Sequence, residues 1–159
     1  MGNQRPVPHI QVCSLEAVRE ADVDLYDGVI TIEDSQIEHP FRIEGDFPLQ
    51  RVIRFDDVVF SGDEWIAPEE YHIQSALGFS QLWEQPSLLI HCHAGMSRSP
   101  AIALAIIADS MGKGEEAAAV RELLKTVPLC TPNQRVVEIT DRILDRGGAL
   151  LETLKCKLE

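Results

Sequence analysis

Positive charge is scarce in this chain. Fourteen lysines and arginines face 26 carboxylates over 159 residues, a formal net charge of −12. That balance excludes binding to nucleic acid through a general basic surface. It also excludes a polybasic hold on anionic lipid, so no nucleic-acid or membrane partner is expected. Long hydrophobic runs are missing too: nothing approaches the roughly 18 apolar residues of a membrane span. The opening Met1-Gly2-Asn3-Gln4-Arg5-Pro6 has no apolar stretch of the secretory kind. Pro6 stands where a myristoylation motif wants Ser or Thr. Cysteine is sparse and irregular. Cys13, Cys92, Cys130 and Cys156 form no CxxC pair, which argues against a structural zinc site or a disulfide framework. A reducing, cytoplasmic setting is the expectation. There is no internal repeat, low-complexity segment or dividing linker.

What is present is ordinary globular material. Apolar residues make up 45% and charged residues 25% of a length that suits one domain. Ile10–Val12, Gly28–Ile32, Val52–Phe55 and Ser87–His91 read as strands, the last as a run buried on both faces. Ser14 is placed to cap a short helix to about Ala21. Pro68 suits the first turn of a helix that ends near Glu84. Pro100 to about Ser110 is apolar nearly all round, the pattern of a buried helix. Two amphipathic helices follow, Glu115–Lys125 and one capped at Thr131-Pro132 with Val136, Ile139, Ile143 and Leu144 on one face. The expected fold is α/β: a single domain with a central, mostly parallel sheet flanked by helices and a helical C-terminal third. Residues 1–8 read as a loose tail, 9–146 as the catalytic unit and 147–159 as a C-terminal extension.

One loop carries chemistry. His91-Cys92-His93-Ala94-Gly95-Met96-Ser97-Arg98-Ser99-Pro100 joins the buried strand to the buried helix. It therefore stands at the carboxyl end of a strand, where open α/β sheets build their sites. Ser99 suits the helix N-cap and Pro100 its first residue. The helix N-terminus then offers unpaired N–H groups and partial positive charge. Inward-facing loop amides form a concave anion site, and Gly95 permits backbone angles that a side chain forbids. A helix dipole and a nearby cation can lower a cysteine pKa from about 8.5 to roughly 3.5–7.5. Arg98 supplies a planar fork that matches two phosphate oxygens. A nucleophile and a clamp converging on one tetrahedral anion point to phosphoryl transfer through a covalent cysteine.

His91-Cys92-x5-Arg98-Ser99 resembles the signature loop of the cysteine-dependent protein tyrosine phosphatase superfamily, in the form found in its dual-specificity branch. Pro132-Asn133 opening a late helix is similar to that branch as well. The resemblance spans about residues 9–146. There is no Trp-Pro-Asp motif, and no lysine lies inside the loop. The resemblance implies a protein tyrosine phosphatase-like fold and a protein phosphatase acting on phosphotyrosine, with dual specificity as the alternative. The partner is then a phosphorylated protein or peptide, and neither a metal nor an organic cofactor is expected. It assigns Cys92 as nucleophile, Arg98 as oxyanion clamp and residues 92–98 (Cys92, His93, Ala94, Gly95, Met96, Ser97, Arg98) as the phosphate cradle. Ser99 becomes the donor to the departing thiolate and His91 a support behind the loop.

The same chemistry needs a carboxylic acid to protonate the leaving oxygen. The resemblance puts it on an aspartate just past a strand, some thirty-odd residues before the cysteine. Asp57, 35 residues before Cys92, matches that slot. Asp56 is the close competitor and Asp63 a distant one. Cys13 ends a strand and is either a redox partner for Cys92 or an inert buried thiol. Arg51, Arg54 and Arg135 are either peptide-holding cations or solvated surface charges. Three other functions share parts of the pattern: a phosphate-binding module without turnover, a rhodanese-type sulfurtransferase, and a phosphatase of inositol phosphates or nucleotides.

Overall fold

A computed structural model describes residues 4–158. Its strands are β1 (His9–Cys13), β2 (Gly28–Glu33), β3 (Leu49–Arg54) and β4 (Ser87–His91). They form one sheet in the order β1-β4-β2-β3, every neighbouring pair parallel. Parallel neighbours require crossovers, which helices supply except between β2 and β3, where residues 34–48 form a loop. Helix α1 (Leu15–Glu20) passes between β1 and β2; α2 (Glu70–Ser80) passes between β3 and β4. After β4 the chain is helical: α3 (Arg98–Met111), α4 (Glu116–Thr126), α5 (Gln134–Ile143) and α6 (Ala149–Leu158). Among the described residues no helix is long and apolar enough to cross a membrane.

The strand period of two sorts the central side chains between two faces. Ile30, Ile32, Leu88 and Ile90 point into the large core beneath α2 and α3. Val29 and Leu89 point the other way, against Val18 of α1, Phe41 and Ile43. Thr31 and His91 alternate onto that second face and are buried there as polar residues. All of β2 is buried, which explains its unbroken β-branched run. Helix α3 is buried along nearly its whole length, and Ala101, Ala103, Ala105 and Ala108 keep its surface slim enough for neighbours on several sides.

Several boundaries differ from the sequence reading. The strand expected at 52–55 begins at Leu49, because Leu49 pairs with Gly28 of β2. Helix α2 starts at Glu70 rather than near Pro68. Glu69 and His72 form a capping box there, the Glu69 N–H donating to His72 Nδ1 at 2.9 Å. Helix α3 starts at Arg98 with Ser97 at its N-cap, so Ser99 lies inside the first turn and is not the cap. For α5 the cap is Asn133, whose side chain accepts from Val136 N at 3.0 Å. Residues 149–158, expected as an extension outside the catalytic unit, form a helix with Leu150 and Leu154 in the main core. Asp141 fixes that helix by accepting from the Leu150 and Leu151 N–H groups at 2.9 and 3.0 Å. Of the expected tail, residues 1–3 lie outside the described residues. Arg5 is tied to the end of α3 through Ser110 O at 2.7 Å and an ion pair with Asp109.

Candidate active site

The carboxyl ends of β4 and β2 lie side by side, and the 92–97 loop leaves from the first of them. Three N–H groups from two segments outside the loop hold its carbonyls. Leu15 N donates to His93 O at 3.0 Å, Thr131 N to Met96 O at 2.8 Å and Asn133 N to Ser97 O at 3.0 Å. In a planar trans peptide the N–H of the following residue points opposite to the carbonyl. The N–H groups of Ala94, Ser97 and Arg98 are therefore turned away from those outside donors, toward the space the loop encloses. Gly95 has φ +76°, and a Cβ there would meet the Cys13 carbonyl carbon at 2.8 Å. Glycine is needed at this position both for its backbone conformation and for the close approach to β1.

Cys92 is 2% exposed. Gly95 N donates to its Sγ at 3.3 Å, and Ser99 Oγ lies 3.1 Å from it. Arg98 reaches back from the first turn of α3 and is buried. Its Nη1 donates to Phe55 O at 2.8 Å and pairs with Asp34 Oδ1 at 2.7 Å. Its Nε is buried and has no partner among the described residues. One nitrogen of the guanidinium is thus fixed by the residues just past β2 and β3, while Nε meets no acceptor among the described residues. A buried charged donor without an acceptor is costly, so this vacancy suits an anion. Asp34 was not singled out from sequence. Its nearness to the loop depends on β2 pairing with β4, which no local pattern reveals.

The two candidate acids are separated by environment. Asp57 Oδ1 accepts from Ser97 Oγ at 2.8 Å and from Asn133 Nδ2 at 2.9 Å, so Asp57 faces the loop. Asp56 turns away and accepts from Ser35 N at 2.9 Å, Ser35 Oγ at 2.6 Å and Ile66 N at 2.8 Å. Burial pushes its carboxyl up, but those three bonds and the charge of Arg98 together hold it below the usual range. Asp63 is exposed in the loop beyond. The sequence notes Asn133 only through Pro132-Asn133 opening a late helix, a likeness to the dual-specificity branch, and gives it no site role; in the fold it donates to Asp57 and caps α5.

His91 lies behind the loop. Its Nδ1 is 3.3 Å from Cys92 O and its Nε2 2.9 Å from Thr31 Oγ1, which also accepts from Gln50 Nε2 at 2.8 Å. A carbonyl only accepts, so the single proton of the neutral ring sits on Nδ1 and Thr31 donates to Nε2. Burial lowers the His91 pKa to about 4, against smaller opposing effects of the Cys92 carbonyl bond and Glu33.

Cys13 pairs with His91 across β1 and β4. Burial first, and the charge of Cys92 second, raise its pKa to about 11. Few thiolates are available there at neutral pH, which weighs against the redox-partner role. Cys130 is buried and Cys156 exposed. The three arginines weighed as peptide-holding cations are occupied. Arg51 donates to Ser75 O and stacks its cation on Phe79, Arg54 binds Glu33, and Arg135 binds Pro68 O and Glu69. No group of metal-ligating side chains occurs among the described residues.

The fold is protein tyrosine phosphatase-like, and solved phosphatase structures match it over most of the chain. Three solved structures illustrate the likeness. PTPMT1 in complex with PI(5)P superposes with TM-score 0.59 at 13% identity, covering 89% of this chain and 93% of that one. Tk-PTP in its active form gives 0.59 at 18% identity, with 91% and 98% covered. DUSP15 gives 0.53 at 16% identity, with 97% and 96% covered. No protein-family model and no curated protein matches the sequence.

Proposed function

We propose that the chain is a cysteine-dependent phosphomonoesterase acting on phosphorylated protein, with phosphotyrosine as its first substrate. The observation that carries this reading is the buried Arg98 beside the Cys92 loop, its Nη1 fixed by Phe55 O and Asp34 and its Nε without an acceptor among the described residues. A phosphoryl dianion in the loop meets that donor and the inward N–H groups together.

In the proposed reaction the Cys92 sulfur attacks phosphorus and the ester P–O bond breaks. Asp57 gives its proton to the leaving oxygen, which departs as an alcohol or phenol. Charge on the transferring group is met by the loop N–H groups and the Arg98 fork. Water then attacks the phosphocysteine while the Asp57 carboxylate takes its proton. The P–S bond breaks, and Ser99 Oγ–H, 3.1 Å away, donates to the departing sulfur. His91 holds the Cys92 carbonyl and hence the start of the loop. Every group used belongs to this chain.

The test is release of phosphate from an aryl phosphate in the presence of a chelator. Wild type is expected to turn over, and Cys92→Ser and Arg98→Ala to lose activity entirely. Full turnover by Cys92→Ser overturns the mechanism. Tight binding of phosphotyrosine by the wild type without turnover assigns a binding module instead. Thiocyanate formed from thiosulfate and cyanide assigns a sulfurtransferase.

A further inference from the structure

We propose that the hollow beside Asp57 is the docking site for the residue flanking the phosphorylated side chain of a protein substrate, and that it takes a bulky apolar residue next to a basic one. This rests on the phosphatase reading and adds a substrate class to it. The hollow, about 470 Å³, opens from Asp57 and Ser97 on one side and is lined by Phe60 and Trp65 from the loop after β3, with Pro132 and Asn133 opposite. It begins at Asp57 and Ser97, at the rim of the catalytic loop, within reach of a residue beside the phosphorylated one.

The Phe60–Trp65 wall is built in advance. Asp56 closes the loop at its base, its own N–H donating to Ile66 O at 2.7 Å and its carboxylate accepting from Ile66 N. Trp65 Nε1 donates to Phe60 O at 2.7 Å. Gly62 lies against the indole, where a Cβ would come within 2.4 Å of the ring. Asn133 Nδ2 pins the other end through Val58 O at 3.2 Å. A loop held this way loses little entropy when a ligand arrives. Yet its apolar faces look outward: Phe60 is 74% exposed, Val59 43% and Trp65 39%. Single exposed apolar residues are common, but three in one fixed loop beside a catalytic rim form a patch. The chain has only five phenylalanines and two tryptophans. Placing one of each here, uncovered, is not how a scarce aromatic set stabilises a core.

Charge chooses the occupant. Asp63 and Glu64 stand exposed in the same loop, and no hydrogen bond or ion pair engages either among the described residues. Gln134, which lines the hollow, is neutral, and the guanidinium of the next residue, Arg135, is held by Glu69 and Pro68 O. A second phosphate, as on an inositol headgroup, meets repulsion here, whereas a lysine or arginine beside an apolar anchor is attracted. The net charge of −12 repels an anionic membrane in the same way.

The experiment compares an aryl phosphate, phosphoinositide vesicles and phosphotyrosine peptides whose flanking pair is Leu-Lys, Ala-Ala or Glu-Glu, on either side. Wild type is expected to prefer Leu-Lys. Phe60→Ala is expected to lower kcat/KM for that peptide roughly tenfold while leaving the aryl phosphate unchanged. Asp63→Lys with Glu64→Lys is expected to reverse the preference between Lys and Glu. Equal rates across the wild-type peptides, or a Phe60→Ala effect shared by the aryl phosphate, overturns the proposal. Vesicle hydrolysis faster than any peptide, and lost in Phe60→Ala, gives the hollow to a lipid. If the wild type turns over nothing, the phosphatase reading fails by itself. The hollow is then judged by calorimetric binding of the same peptides: a Leu-Lys preference lost in Phe60→Ala upholds it, and equal affinities reject it.

Discussion

Successive side chains on an extended segment point in opposite directions, and Asp56 and Asp57 obey that rule at the end of β3. One reaches Ser97 and Asn133 at the loop; the other is spent closing a turn on Ser35 and Ile66. Replacing each with asparagine separates the roles. Asp57→Asn is expected to lower kcat by about 10²–10⁴-fold on substrates with poor leaving groups, with unchanged unfolding. Asp56→Asn is expected to cost about 1–3 kcal/mol of stability in urea titration and to affect rate much less. The reverse pattern moves the acid to Asp56. His91 gives a second residue-level test. Its native pKa is about 4 against an ordinary 6.5, so below pH 6.5 the unfolded chain binds a proton that the native state refuses. Its contribution to stability is full above 6.5 and is lost as pH falls toward 4, by about 3 kcal/mol at most. His72, also lowered by burial, acts in the same direction. In His91→Gln the stability measured across that window should be flatter than in wild type. A wild-type profile already flat there contradicts the buried neutral ring.

Helix α6 shows how an element depends on contacts that its own sequence does not announce. A ten-residue helix is marginal alone, and this one is preceded by Gly147-Gly148, which ends the pattern of α5. Its anchor is the Asp141 carboxylate on the Leu150 and Leu151 N–H groups, and its buried face is Leu150 and Leu154. Leu150→Ala is expected to cost about 2–5 kcal/mol, read from the urea midpoint, with kcat on the remaining folded protein unchanged. A loss of less than about 1 kcal/mol would return α6 to the status of an appendage. The same reasoning explains what was readable. β2 and β4 were legible because burial on both faces writes itself as an unbroken apolar run. Cys92, Gly95 and Arg98 were legible because the loop is contiguous in sequence. Asp34 and Asn133 were not, since the first needs the β4-β2 pairing and the second needs α5 docked on the loop. Ser-Pro is a common helix start and marks Ser99 as a cap; in the folded chain its hydroxyl lies against Cys92 instead.

At the scale of the whole molecule, the proposed site binds a dianion inside a protein of net charge −12. Burial and the fixed N–H groups make the local attraction short-ranged, while the surrounding carboxylates repel at distances set by salt. Approach and binding therefore have opposite electrostatics. Raising ionic strength from about 0.01 M to about 0.15 M shortens the screening length from about 30 Å to about 8 Å. For a small aryl phosphate dianion this should increase kcat/KM a few-fold by relieving the long-range repulsion, with kcat little changed because the buried contacts are screened far less. A phosphopeptide carrying lysines should show the opposite slope, since salt weakens its attraction to the acidic rim that includes Asp63 and Glu64. Stopped-flow or initial-rate measurements on both substrates, in one salt series, read the two slopes side by side. If both substrates slow as salt rises, a local positive field dominates encounter and the acidic balance of the chain has no part in choosing what reaches Cys92.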